Sequence, residues 1–231
     1  MGTFGGAQPI VTDGLVFAVD AANYQSYPGS GTTWTDLAGN NNGTLANGPT
    51  FDSGNGGSIV FDGTDDYIGF GDILNIEPTG DFTWQVWCYP EEKTSRYRTI
   101  LGKGYASSTG FQLRMDRSLP SNDNKFIFES NHTTSGRASV STETVDNNTW
   151  YLVTCIIEGN QRKLYLNTTL KNQNTFVGDF IYGPSNLYVG DNRAASEYWL
   201  GKINYITHYH KALSPSEISQ NYNALKGRFG L

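Results

Sequence analysis

The amino-acid sequence predicts an all-β protein built as a sandwich or barrel, and three observations lead there. Short aromatic and β-branched segments recur along the chain, bounded by Gly, Asn, Asp and Pro, as strands joined by tight turns require. Glycine contributes 27 of 231 residues, roughly 12% against an average near 7%. Aromatic residues make up 13%, more than a disordered chain carries. A chain of 231 residues suits one all-β unit and is long enough to bury a large core without disulfides or metal.

In order, residues 1–12 read as a Gly-rich arm, expected to be mobile unless a partner orders it. Residues 13–231 read as one domain, opened by a strand at 15–19. Between 28 and 68, turn formers alternate with Trp34, Leu37, Leu45, Phe51, Ile59, Phe61, Tyr67 and Ile68. Within that stretch, 58–61 and 67–70 read as a hairpin around the turn 62–66. Residues 82–89 form an aromatic strand that Pro90 ends, and strands follow at 99–101, 111–115 and 125–129. Segments 150–157 and 163–166 read as a hairpin closed by 158–161, and the last strands lie at 186–189 and 199–209.

A short helix is predicted at 214–226, followed by a tail at 227–231. Ser214 caps it, Pro215 suits its first position, and Glu217 completes a capping box. Leu213 and Ile218 stand as a hydrophobic staple, Ile218, Tyr222 and Leu225 share a face, and Gly227 marks the stop.

A net charge of −6 disfavours nucleic acid as a partner, because phosphate binding needs clustered Lys and Arg. The densest basic group, Lys93, Arg96, Arg98, Lys103, Arg114 and Arg117, reads as a solvated face. No segment has the roughly 20 apolar residues of a membrane helix. The N-terminus lacks the charged and apolar regions of a signal peptide, so synthesis in the cytoplasm is expected. Cys88 and Cys155 read as small buried hydrophobes, with no geometric support for a bridge between them.

Several segments in register resemble laminin-G-like domains of the concanavalin-A type. Gly14-Leu-Val-Phe-Ala-Val-Asp20 is similar to the family's opening strand, and Gly57-Ser-Ile-Val-Phe-Asp-Gly-Thr-Asp-Asp-Tyr-Ile68 to its GGSxxFDGxDDYV stretch. Phe82-Thr83 with Trp87 and Pro90 resembles FTISAWVKP, Leu164-Tyr-Leu-Asn167 resembles YVNG, and residues 201–214 resemble GxIDDVRIYNRALS. The resemblance implies a two-sheet antiparallel jelly-roll sandwich with the helix at its C-terminal end.

It also implies a structural Ca²⁺ between the first strand and the IDD strand, at the positions of Asp20 and Asn204. Asn204 and Tyr205 stand where the family carries acids, which weakens that site. Asp62, Asp65 and Asp66 are an alternative acidic cluster, favoured here as turn residues. No cofactor other than calcium is implied. A glycan site would combine exposed aromatics with polar groups, and Tyr24, Tyr27, Tyr105, Tyr198 and Trp199 are its candidates.

Hydrolases sharing this jelly roll carry acids alternating along one strand, as in ExDxE. None of the eight Glu (Glu77, Glu91, Glu92, Glu129, Glu143, Glu158, Glu197, Glu217) begins such a series, so no catalytic residue is assigned. His208 and His210, two apart, read as a packed or surface pair, since no third ligand joins them for zinc.

The end segments SYPGSGTTW and NYNALKGRFGL resemble bacteriophage virion proteins, both tail-fibre tips and head-decoration proteins. The function this implies is non-enzymatic: a virion structural protein contacting capsid or tail proteins and copies of itself, and exposing its jelly roll to host glycans. A free-standing bacterial carbohydrate-binding module is the alternative, and a glycoside hydrolase is third.

Overall fold

The computed structural model describes residues 8–75, 80–92, 97–104, 109–118, 123–181, 183–193 and 196–231, with backbone alone at 117, 118 and 123. The described strands are β1 (Leu15–Asp20), β2 (Thr33–Trp34), β3 (Gly43–Ala46), β4 (Thr50–Asp52), β5 (Ser58–Asp62), β6 (Tyr67–Gly71), β7 (Phe82–Pro90) and β8 (Tyr97–Lys103). They continue with β9 (Phe111–Ser118), β10 (Asp123–His132), β11 (Gly136–Ser141), β12 (Tyr151–Glu158), β13 (Gln161–Leu166), β14 (Thr169–Thr175), β15 (Leu187–Val189) and β16 (Leu200–Tyr209). One helix, α1 (Pro215–Leu225), precedes a 3-10 turn at Lys226–Phe229.

These strands form two antiparallel sheets. The first runs β14-β13-β12-β7-β16-β5-β4, with β1 also paired to β16, and the second runs β11-β10-β9-β8-β15-β6-β3-β2. Alternation sends one side chain set inward from each sheet. Phe17, Phe61, Phe82, Trp84 and Val86 of the first sheet meet Ile68, Leu101, Phe111, Leu113, Met115, Phe126 and Phe128 of the second in one buried core. This is the two-sheet jelly-roll sandwich that the sequence pattern and the resemblance led to.

The segments 58–61 and 67–70 do not form the expected hairpin. β5 pairs with β4 and β16, whereas β6 pairs with β3 and β15, so the turn 62–66 carries the chain from one sheet to the other. Ile59, Phe61, Ile68 and Phe70 are all buried in the common core, which draws the two strands to opposite walls. The hairpin of β12 and β13, by contrast, closes with Glu158 opposite Gln161 as expected.

β16 holds the first sheet together by changing neighbours halfway along. Its first half pairs with β5 and its second half with β1, and its register against β7 shifts between Ile203 and Tyr205. Asn204 sits at that irregularity, fully buried.

The outer face of the first sheet is covered by the C-terminal segment. Ser214 caps α1, with its side chain accepting from the Glu217 N–H and the Glu217 carboxylate accepting from the Ser214 N–H at 2.8 Å, so the capping box is complete. Leu213 and Ile218 pack with Tyr209, Tyr165 and Ile156. The α-helix ends at Leu225, just short of the expected stop at Gly227. It passes into the 3-10 turn, which ends at Gly230 in the left-handed region at φ 72°. That extension carries Phe229 onto Trp87, Trp150, Tyr205 and Leu225. The tail is therefore packed against its own sheet.

The inner end of the arm is packed too. Gln220 Nε2 donates to Pro9 O (2.7 Å), the Val11 N–H to Asn221 Oδ1 (2.7 Å), and Tyr209 Oη to Val11 O (3.0 Å). Asn221 Nδ2 in turn reaches Gln85 Oε1 at 2.7 Å, so a buried polar network ties arm, helix and sheet. Mobility expected over 1–12 does not extend to these residues.

Candidate functional site

The outer face of the second sheet is assembled by strand register. One row crosses seven strands: Thr44, Gly69, Tyr188, Gly102, Gln112, Glu129 and Ser139. Their chain neighbours Leu45, Ile68, Leu187, Leu101, Phe111, Phe128 and Val140 are buried in the core, so this row points outward. Glycines stand directly opposite Tyr188 on both sides, leaving its phenol no cross-strand side chain in the row. Tyr67, also outward beside Ile68, meets Tyr188 edge to face with ring centroids 5.9 Å apart. Both tyrosines are half-buried. Arg193 places its guanidinium 4.2 Å from the Tyr67 ring centroid while pairing with the buried Asp191 at 3.2 Å.

Beside this aromatic pair lies a polar group. Glu197 Oε2 accepts from Asn192 Nδ2 (2.9 Å), Gln112 Nε2 (3.1 Å) and Thr99 Oγ1 (3.3 Å). One strand further, Arg114 donates to both oxygens of Glu129 at 2.7 and 3.2 Å and lies 3.9 Å from the Tyr97 ring centroid. The result is a hydrogen-bonded layer in which Gln112, Glu129 and Arg114 are buried, while Asn192, Glu197 and the rings of Tyr67 and Tyr188 are half-buried. Its half-buried members, Asn192, Glu197 and the two tyrosine rings, are the groups that can meet sugar hydroxyls and an apolar sugar face.

Two of the sequence candidates for glycan contact are buried. Trp199 is fully buried, 5.8 Å from the Arg98 guanidinium. Tyr27 is buried and donates to Gly31 O at 2.9 Å, and burial pushes its phenol up. Neither can touch a ligand in the folded state. Tyr24 is 79% exposed but lies outside the sheet rows. Tyr198 is half-buried, and Tyr105 lies outside the described residues. Tyr67 and Tyr188 were missed, although each is a polar aromatic beside core residues in YIGFG and LYV, the signal of an outward position on a half-buried strand.

Asp20 and Asn204 do come together, around Arg228. The guanidinium donates to both carboxylate oxygens of Asp20 at 2.9 and 3.0 Å and lies 3.5 Å from Asn204 Oδ1. The Asp20 carboxylate also accepts the Ala22 N–H at 2.9 Å, and Asn204 Nδ2 donates to Gly57 O.

The ligand atoms of Asp62, Asp65 and Asp66 lie within 4.8 Å of one another. Asp66 is buried and accepts the Asp62 N–H at 2.9 Å, while Asp62 accepts the Thr64 N–H at 2.7 Å. Burial pushes the Asp66 carboxyl up, and the neighbouring Asp62 and Asp65 add to the rise against its hydrogen bond from the Asp62 N–H. These bonds shape the crossover turn between the sheets.

In the His pair, His208 is fully buried and stacked on Trp84 at 4.3 Å, while His210 is exposed and meets the His208 ring edge to face at 5.2 Å. Cys88 and Cys155 are both buried and free. Among the described residues no helix is long and apolar enough to cross a membrane.

The geometry so far defines a class: a two-sheet jelly roll with the C-terminal helix on the outer face of one sheet and the half-buried Tyr67 and Tyr188 on the outer face of the other. A family model for the concanavalin A-like lectin/glucanases superfamily matches residues 62–219, and the chain belongs to that family.

Among solved structures, domain 4 of AbnA, a GH43 extracellular arabinanase from Geobacillus stearothermophilus in complex with arabinotriose, is similar with a TM-score of 0.69 and 18% identity. That match covers 90% of this chain and 98% of the arabinanase domain. The binding domain of Paraclostridial Mosquitocidal Protein 1 gives a TM-score of 0.70 at 14% identity, covering 91% of this chain and 52% of that one. The botulinum neurotoxin serotype D binding domain gives 0.71 at 15%, covering 91% and 51%. This chain thus spans about half the length of the two toxin domains. At these identities the likeness is one of fold. Among curated proteins, no sequence matches.

Proposed function

We propose that this chain is a non-enzymatic carbohydrate-recognition jelly roll that binds glycan on the outer face of its second sheet and is carried on a bacteriophage particle. The observation that carries the recognition half is the pair Tyr67 and Tyr188, beside the hydrogen-bonded group of Glu197, Gln112 and Asn192. The fold's occurrence in a domain solved with arabinotriose and in toxin binding domains supports it. The particle half rests on the resemblance of the two end segments to virion proteins, as head-decoration or tail-fibre-associated components. Many copies on one particle would convert weak glycan contacts into avidity.

A hydrolase needs two carboxyl groups free to act as acid and as base or nucleophile. The acids on this face are otherwise engaged: Glu129 holds Arg114 through both oxygens, and Glu197 accepts three side-chain donors.

A glycan array followed by titration calorimetry tests recognition, with binding expected for the wild type and lost in a Tyr67→Ala/Tyr188→Ala double variant. Equal binding by both proteins would remove the site. Mass spectrometry of purified particles tests the virion half, which fails if the protein is absent from them. Deleting residues 1–8 separates this reading from a free-standing bacterial module. The virion reading expects lost particle incorporation, whereas the module reading expects unchanged glycan affinity as its only consequence.

A further inference from the structure

We infer that Arg228 takes the place of the structural cation at the junction of β1 and β16, so that the fold is calcium-independent and its C-terminal turn acts as the clasp. The donor set does not fit calcium. Calcium takes six to eight oxygens, mostly from carboxylates and carbonyls. The side chains of Asp20 and Asn204 offer three, with a single negative charge among them. Both Asp20 oxygens already accept from the Arg228 guanidinium, and Asn204 Oδ1 faces the same guanidinium at 3.5 Å while its NH₂ is held by Gly57 O.

The guanidinium supplies what the ion would have supplied. Asp20 is buried, and an uncompensated buried carboxylate is costly. A bidentate guanidinium neutralises it in fixed geometry. The place is also mechanically apt. β16 changes partner from β5 to β1 here, and Ala21 N–H donates to Asn204 O at 2.8 Å just past the end of β1. Arg228 reaches this point because α1 passes into the 3-10 turn. Its own carbonyl accepts from Asn55 Nδ2 at 2.9 Å, and the next residue, Phe229, is packed on Trp87. The cation is thus covalently part of the chain and arrives only when the C-terminus has docked.

Thermal unfolding of the full chain in calcium and in chelator, with Arg228→Met and Arg228→Lys beside the wild type, tests this. The wild-type Tm should be the same in both buffers. Arg228→Met should lower it by roughly 5 °C, and Arg228→Lys, which keeps the charge but not the fork, should recover part of that loss. A wild-type Tm that falls in chelator would overturn the inference without any variant. Equal loss in the Lys and Met variants would overturn it too, since the side chain would then act by packing alone.

Discussion

Phe229 lies nearly parallel on Trp87, with ring centroids 4.3 Å apart and planes at 26°, and reaches Trp150 at 4.5 Å. The last residues of the chain thereby close the outer face of the first sheet. Removing a buried Phe side chain costs about 3–5 kcal/mol, which in a chain of this size is a Tm loss on the order of 10 °C. Phe229→Ala and truncation after Lys226 should both show it in thermal unfolding. A Phe229→Ala protein with the wild-type Tm would mean that the tail is not part of the folded body.

The outer face of the second sheet gives the opposite expectation. Tyr67→Ala or Tyr188→Ala should weaken glycan binding roughly tenfold, about 1.4 kcal/mol, with a much smaller change in stability, because both rings are half-buried. Tyr24→Ala, though it removes a ring that is 79% exposed, should leave binding unchanged. Titration of the three variants against one glycan decides between the two locations.

Acid should destabilise the fold through its buried imidazoles. On β10, His132 accepts from buried Arg162 at 2.9 Å and stacks on Phe176 at 3.6 Å, and burial first, then Arg162, push its pKa down to about 4. Burial, with His210 adding, pushes His208 down to about 3. An unfolded His titrates near 6.5, so below that pH the unfolded chain binds more protons than the folded one. Stability is therefore whole above about pH 6.5 and is lost as pH falls toward 4 and then 3, by on the order of a few kcal/mol for each histidine. Denaturant unfolding measured across this range should show the slope, and His132→Gln should make it shallower. An unchanged slope in that variant would refute the assignment.

The thiols should be silent in the native state. Cys88 and Cys155 are buried and free, and burial pushes both well above the ordinary thiol range, with Arg98 opposing the rise only at Cys88. A thiol reagent should modify neither until the protein is unfolded, and then both. Modification of the native protein at a rate typical of an exposed cysteine would contradict the packing of β7 and β12.

Local information in the chain was enough for the fold class, for most strands and for the helix cap, because alternation and capping chemistry act between residues a few positions apart. It did not reach β14 or β11, whose TLKNQNT and GRASVS carry no continuous apolar alternation and are held by backbone pairing at sheet edges. The placement of 58–61 and 67–70 on opposite walls was equally out of reach, since a turn rich in Asp and Gly serves a hairpin and a crossover alike.

Asp20 and Asn204 were legible as neighbours. That Arg228, 208 residues along the chain from Asp20, fills the space between them was not. Nor was the row that sets Tyr188 between two glycines and beside Tyr67. By itself the sequence determined a chain of short strands ending in a C-terminal helix, because short-range patterning encodes them, and its resemblance to laminin-G-like domains implied the two-sheet scaffold. Only the tertiary structure decided which aromatics face out and which cation meets the buried carboxylate, because both depend on strand register and on where the chain's end docks.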